Sequence, residues 1–259
     1  MARIKVMSMK KILLLPAYNE EKNLPFLLEN IRRNFSDDRD FEILVVDDGS
    51  SDGTKDIAVK YRSMIPLTLL SHKINRGLGE ALKTGFEYIN GVAGEEDIVI
   101  TMDADGSHDT LLIPDMIRTM KDHDVMIASR YLKGAKQVGV GFGRRILSLV
   151  ASSLLRLFFP IRGVRDYSCG FRAYRVSIIR RALDVYKDQF IQQKSFACMP
   201  EILIKLAAIG AKITEYPLIL RYDLKKGGSK IRLFKTISGY FRLIITAKLL
   251  YPASRRGRN

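Results

Sequence analysis

"DIVITMDADGSHD", residues 97–109, is an apolar run that stops abruptly in acids: Asp103, Asp105 and Asp109, with His108 beside them. Its first half is a short, β-rich and almost continuously apolar segment. Such a segment suits a strand buried on both faces, as in a parallel sheet. Its second half poses a question of charge, because neighbouring acids repel one another. Either the stretch is a solvated turn in which Asp109 caps the next helix, or something positive sits against it.

The same punctuation recurs on both sides of this run. "KILLLP" (11–16) and "FEILVVDD" (41–48) read as strands, with helical spacing in "NLPFLLENIRRNF" (23–35) between them. "GSSDGT" (49–54) is a turn, after which Thr54 is expected to cap a helix. "LTLLS" (67–71) reads as a third strand, "GLGEALKTGFEYI" (77–89) as a helix, "LLIPDMIRTM" (111–120) as a helix and "DVMIAS" (124–129) as a strand. Strands alternating with helices imply βαβ units and a mostly parallel sheet, an α/β Rossmann-like architecture. Ligands of such sheets bind beyond the carboxyl ends of the strands. "PAYNE" (16–20), "DDGSSD" (47–52) and "DADGSHD" (103–109) are then expected at one edge.

Beyond about residue 135 the pattern changes. "GFGRRILSLVASSLLRLFF" (141–159) is an amphipathic helix with Arg144, Arg145 and Arg156 among its polar positions. "RDYSCGFRAYR" (165–175) reads as irregular to strand, "PEILIKLAAIG" (200–210) as a helix and "AKITEYPLILRY" (211–222) as one strand. "IRLFKTISGYFRLIITAKLLY" (231–251) is a second basic amphipathic helix. The expected division is a catalytic domain over 1–230 and a basic, membrane-surface segment over 231–259.

The 259 residues suffice for one substantial core, and the net charge of +15 favours anionic partners. From Arg221 to Asn259 there are eleven Lys or Arg and one acid, Asp223, so the basic weight lies far from the acidic loop in sequence. Aromatics in that basic region fall on an apolar helix face and the chain has no Trp, so no nucleic-acid partner is expected. There is no Walker or GxGxxG loop. Cys169 and Cys198 lack metal-ligand spacing and point to a reducing compartment. The N-terminal apolar run, Ile12 to Leu15, is too short for a signal peptide, and no stretch reaches the ~18 apolar residues of a bilayer span. The expected location is the cytoplasm, peripherally on the cytoplasmic face of a membrane.

A D-x-D at the end of a strand directs two carboxylates toward one point. Hard oxygen ligands suit Mg²⁺ or Mn²⁺, and phosphate oxygens of a nucleotide would complete the shell. Pro16 would hold a rigid turn, Tyr18 would stack on a base, and Glu20 and Asp48 would accept base or ribose hydrogen bonds. Each of these is also readable as a plain surface turn or helix cap.

"LPAYNE", "VVDDGSSDGT", "MDADGSHD", "ASRY", "GRRILS", "DYSCGFRAYR" and "KKGGSK", in this order and spacing, resemble the family-2 inverting glycosyltransferases of GT-A fold. Within them the chain looks most like the dolichyl-phosphate mannose synthase group, which includes polyprenyl-phosphate glycosyltransferases. The resemblance covers roughly residues 10–235. It implies that Pro16, Tyr18, Glu20, Val46 and Asp48 hold the nucleoside. Asp103, Ala104 and Asp105 would meet the metal and the diphosphate-sugar, with Ser107 a further metal contact. Arg130 would touch donor or acceptor phosphate. Arg144, Ser148 and Lys230 would bind the lipid phosphate, Lys230 also reaching the donor. Asp103, Asp105 and Arg130 are thus the expected catalytic residues. Two positions depart from the family pattern: Gly106 stands where Leu is common, and Cys169 where Ser is usual. Many microbial members carry C-terminal transmembrane helices; this chain matches the shorter plan, which leaves room for a small membrane-anchoring subunit.

The activity implied is metal-dependent transfer of a hexose, mannose from GDP-mannose first and glucose from UDP-glucose next, to dolichyl or polyprenyl phosphate with inversion. A hydroxyl acceptor would instead require a general base, for which Asp166 and His108 are the candidates. Otherwise His108 is structural or meets phosphate. Glu201 contacts the sugar or supports a helix N-terminus, and Asp166 orients an arginine such as Arg165 or Arg172.

Overall fold

Four short runs, Leu13–Leu15, Ile43–Val46, Ile98–Ile100 and Val125–Ala128, are buried throughout. They form the middle of the sheet, as near-continuous apolar strands must. The computed structural model describes residues 9–227 and 238–245. In chain order the elements are β1 (Lys11–Ala17), α1 (Leu24–Phe35), β2 (Phe41–Asp47), α2 (Thr54–Tyr61), β3 (Leu67–Ser71), α3 (Leu78–Val92), β4 (Ile98–Thr101), α4 (Ile113–Thr119), β5 (Val125–Ser129), β6 (Lys136–Val138), α5 (Phe142–Phe158), β7 (Arg172–Arg175), α6 (Val176–Tyr186), α7 (Cys198–Ala208), β8 (Ile213–Pro217) and β9 (Ile219–Arg221). A seven-stranded sheet has the order β3-β2-β1-β4-β7-β5-β8, and β6 pairs with β9 in a small second sheet.

The sheet is mostly parallel and flanked by helices, as the alternation requires. β7 is the exception: it runs antiparallel between β4 and β5. Three other departures from the sequence reading have local causes. Pro16 lies inside β1, opposite Val46, rather than in a turn. The ladder of β1 with β4 ends at Leu14↔Thr101, so the missing N–H of Pro16 breaks no bond on that side. Thr54 begins α2 after Gly53 and does not cap it; its hydroxyl donates to Asp52 Oδ1 at 2.5 Å and accepts from Glu20 N at 2.7 Å. The segment 211–222 divides at Leu218, whose N–H donates to Ser129 O at 2.9 Å. Its first half, β8, completes the large sheet and its second half, β9, leaves for β6.

Residues 176–186, which carry no expectation of their own, form α6. Val176, Ile179 and Ala182 are buried at helical spacing. Of the expected C-terminal helix, residues 238–245 are described and are helical. The boundary at 230/231 lies outside the described residues.

Candidate active site

The register of the sheet brings the three expected segments together. β2 and β4 flank β1 in parallel, with Ala17 opposite Asp47 and Leu14 opposite Thr101. Asp48 N donates to Ala17 O at 2.8 Å and Met102 N to Leu14 O at 3.2 Å. The loops after all three strands therefore leave the sheet side by side. Asn19 ties two of them: its N–H donates to Ser50 Oγ at 2.9 Å and its Oδ1 accepts from Ser51 N at 2.8 Å.

The acidic loop holds a carboxylate pair. Asp105 is buried; its Oδ1 accepts from Ser107 N at 3.0 Å and Ser107 Oγ at 2.6 Å. Its Oδ2 lies 2.6 Å from Lys225 Nζ. Lys225 is the positive group demanded by the clustering of acids, and it arrives from the segment just after β9. Burial opposes the charge of Asp105, yet the ammonium beside it holds the carboxyl below its ordinary value. Asp103 differs. It is half-buried and, among the described residues, makes no hydrogen bond or ion pair. Burial first, and the neighbouring charge of Asp105 second, push its carboxyl up to about 7. Gly106 adopts φ +73°, the left-handed region, so a Leu here would be strained. Asp109 does cap: its Oδ1 accepts from Leu111 N at 3.0 Å, at the turn Thr110–Leu112 that leads into α4.

A divalent cation fits this pair. Two carboxylates and the Ser107 hydroxyl are hard oxygen donors, and Asp103 makes no hydrogen bond or ion pair among the described residues, which leaves its oxygens available to a cation. Among the described residues there is no cluster of three or more His, Cys, Asp or Glu. A cation here would therefore draw on substrate oxygens and water, the habit of Mg²⁺.

Of the residues expected to hold a nucleoside, Tyr18 is 37% exposed at the sheet edge. Glu20 is buried and accepts from Asn23 Nδ2 at 2.8 Å, and its charge is felt at both Asp103 and Lys225. Val46 and Ala104 have core side chains. The carboxylate of Asp48 is committed to the chain itself. Its Oδ1 meets His72 Nδ1 at 2.7 Å and accepts from Arg76 N at 2.9 Å, and its Oδ2 accepts from Gly77 N at 2.7 Å. Gly77 has φ +98°, and a Cβ there would lie 2.4 Å from Lys194 O. Asp48 thus shapes the loop between β3 and α3, which borders the same edge.

Arg130, at the end of β5, is clamped by Asp166. Nε donates to Oδ2 and Nη2 to Oδ1, each at 2.7 Å, and the Arg130 N–H donates to Oδ2 at 3.0 Å. Nη2 also reaches Ser168 Oγ at 2.7 Å. Burial opposes both charges, but each partner's charge prevails: Asp166 is held below its ordinary value and Arg130 above. The arginine that Asp166 orients is therefore Arg130, not Arg165 or Arg172. Arg172 donates to the carbonyls of Met199 and Tyr167, each at 2.8 Å. Ser148 lies on α5 and accepts from Tyr131 OH at 2.9 Å. Arg144 lies one turn earlier on the same helix. Lys230 lies outside the described residues.

A family model described as Glycosyl transferase family 2 matches residues 12–183. The chain belongs to that family. The undecaprenyl-phosphate mannosyltransferase of Micrococcus luteus is 31% identical over 211 residues, covering 81% of this chain and 83% of that protein. The dolichol-phosphate mannosyltransferase of Pyrococcus furiosus is 33% identical over 238 residues; these cover 91% of this chain, which spans only 63% of that protein's length. Among solved structures, a glucosyl-3-phosphoglycerate synthase from Mycobacterium tuberculosis, in complex with Mg²⁺ and UDP, superposes with a TM-score of 0.64 at 20% identity. The match covers 94% of this chain and 79% of that one, and the likeness is one of fold.

In this glycosyltransferase several polar residues serve the scaffold. Glu201 accepts from Gln192 N and Gln193 N at 3.0 and 2.8 Å and pairs with Lys205 at 2.6 Å, so it holds the loop before α7. His108 is buried against Phe171, with ring centroids 5.2 Å apart, and burial pushes its imidazole down to about 4, so it is neutral at pH 7. Cys169 and Cys198 are both free and buried, and burial raises the Cys169 thiol to about 12. Lys225 escaped the sequence reading, which passed over it in "KKGGSK" in favour of Lys230.

The amphipathic helix α5 turns an apolar stripe outward rather than onto the sheet. Phe142 is 78% exposed and Leu157 71%, with Ile146, Leu149, Val150 and Leu154 exposed between them. Phe241 and Ile245 of the helical residues 238–245 are exposed as well. Among the described residues, no helix is long and apolar enough to cross a membrane.

Proposed function

We propose that this protein transfers a hexose from a nucleoside-diphosphate sugar, GDP-mannose first, to a polyprenyl phosphate at a membrane surface. The observation that carries the reading is the Asp103–Asp105 pair beside the Glu20 loop, in which burial and the charge of Asp105 push the Asp103 carboxyl up to about 7. Mg²⁺ or Mn²⁺ bound there supplies Lewis-acid neutralisation of the leaving diphosphate. Asp103 and Asp105 hold the ion, and Ser107 fixes the orientation of Asp105.

The acceptor phosphate is already ionised near pH 7 and needs no general base. Its oxygen attacks the anomeric carbon in line, the C1–O bond to the donor's β-phosphate breaks, and the nucleoside diphosphate departs with the electron pair. The anomeric centre inverts. The two bases that a hydroxyl acceptor would call on are ill suited: Asp166 is fully committed to Arg130, and His108 is a weak base in a buried site. Arg130, fixed by Asp166, contributes positive charge beside the carboxylates. Arg144 and Ser148 on α5, with Lys230, take the acceptor phosphate. The exposed stripe of α5 rests on the lipid surface that carries the acceptor, with Arg145 and Arg156 toward anionic headgroups.

The test is incubation of the full chain with polyprenyl phosphate and radiolabelled GDP-mannose, UDP-glucose and related donors, with Mg²⁺, Mn²⁺ or EDTA. Labelled lipid is expected from GDP-mannose with metal and none with EDTA. Label appearing only on a sugar hydroxyl acceptor would overturn the reading.

A further inference from the structure

The segment that follows β9 crosses the site as a strap fixed at both ends. At its root Arg221 N donates to Ser107 O at 2.9 Å, and Leu220 bridges His108. At its far end Lys226 N donates to Asn23 Oδ1 at 2.8 Å, and Asn23 Nδ2 donates to Lys226 O at 3.0 Å. Asn23 stands at the start of α1, yet its side chain does not cap that helix and is spent on the strap and on Glu20. The strap thus spans from the metal-loop side to the nucleoside side. Between its anchors Lys225 Nζ meets Asp105 Oδ2 at 2.6 Å, with both side chains nearly out of water.

An ammonium and a divalent cation at this site compete for the same carboxylate oxygen. The backbone of the strap is hydrogen-bonded to Ser107 and Asn23, which keeps Lys225 beside the site while its four-carbon stem is able to swing. Glu20 pulls on Lys225 more weakly than Asp105 does, and the stronger negative charge that comes within reach with a cation is the donor's diphosphate. We propose that Lys225 is a resident counter-ion that a divalent cation displaces from Asp105, whereupon the ammonium pairs with the donor's diphosphate. This rests on the reading of the site as a metal–diphosphate centre. A cation arriving alone leaves the lysine only the weaker pull of Glu20, whereas a cation arriving with a diphosphate gives it a new partner. Metal and nucleotide binding are therefore coupled, and the coupling is reciprocal.

The experiment measures Mn²⁺ binding to the full chain, from the electron paramagnetic resonance of free Mn²⁺, and GDP binding by calorimetry, each alone and together. It compares wild type with Lys225→Met, Lys225→Gln and Lys225→Arg. A close charge shifts proton affinity by about tenfold or more, and a similar change is expected for the metal. Lys225→Met and Lys225→Gln should bind Mn²⁺ alone about tenfold tighter than wild type and GDP with Mn²⁺ about tenfold weaker, while Lys225→Arg keeps the coupling. Unchanged or weaker Mn²⁺ binding by Lys225→Met and Lys225→Gln, with wild type still binding Mn²⁺ and GDP together, would overturn the role of Lys225 alone. Failure of wild type to bind Mn²⁺ with GDP would overturn the metal–diphosphate reading itself.

Discussion

Asp48 and Asp105 stand just past the ends of β2 and β4, the strands on either side of β1, both buried and both accepting short hydrogen bonds, but they are satisfied differently. Asp48 is answered locally: two backbone N–H groups and His72 close around it, and the result is a fixed loop. Asp105 has local hydrogen bonds from Ser107, but its charge is met by a lysine 120 positions further along the chain, and its neighbour Asp103 makes no hydrogen bond or ion pair among the described residues. A carboxylate that completes the fold meets its charge within the fold. On the proposed function, the Asp103–Asp105 pair leaves some of its charge to be met by a bound cation.

Breaking the functional side of this comparison should have the largest effect. Asp103→Asn is expected to lower hexose transfer by at least about a thousandfold, roughly 4 kcal/mol of lost transition-state stabilisation. Thermal unfolding of the variant should stay close to wild type, because Asp103 makes no hydrogen bond or ion pair among the described residues. A full-rate variant in the radiolabel assay would remove the metal role.

Asp166 tests a carboxylate of the first kind placed next to the site. Asp166→Asn leaves Arg130 charged and unpaired in a buried place, a loss of about 3 kcal/mol or more. The pH dependence follows from the direction of the shift. Because the folded-state carboxyl is held below its ordinary value, its stabilisation is complete above the unfolded value and is lost as pH falls through the folded one. Chemical denaturation should therefore show a wide gap between wild type and variant at pH 7 that closes in acid, below about pH 4. A gap that widens in acid would contradict the pairing.

Asp48→Ala should cost about 2 kcal/mol through stranded N–H donors, read as a fall in melting temperature of several degrees. Its metal affinity should stay near wild type. An equal loss of metal binding would blur the distinction between the two carboxylates.

The smallest expected effect is at the surface. Phe142→Ser with Leu157→Ser should reduce binding to anionic vesicles about tenfold, with stability unchanged, because both side chains already face outward. Flotation assays at fixed salt would read it.

What the sequence made legible follows the same division. β1, β2, β4 and β5 were readable because each is a short, largely buried apolar run bounded by turn residues, and β3 because its apolar run is bounded in the same way. The direction of β7 was not, since "RAYR" carries no mark of which neighbour it joins. The break at Leu218 was hidden because "ITEYP" and "LILR" are equally strand-like. α6 was there to be read in the spacing of Val176, Ile179 and Ala182. Within the site the acids announced themselves, as like charges gathered at a strand's end always do. Their partners did not: nothing near Arg130 in sequence points to Asp166, and nothing near Asp105 points to Lys225. Those pairings are set by how the sheet closes, which local composition does not encode.

On the proposed function, Asp103 and Asp105 hold a divalent ion against the diphosphate of the donor. Pulsed electron–nuclear double resonance on Mn²⁺ bound to the full chain with GDP reads this directly. A ³¹P coupling from bound GDP is predicted in wild type, with both bound Mn²⁺ and the coupling lost in Asp105→Asn. Bound Mn²⁺ with an undiminished ³¹P coupling in Asp105→Asn would contradict it.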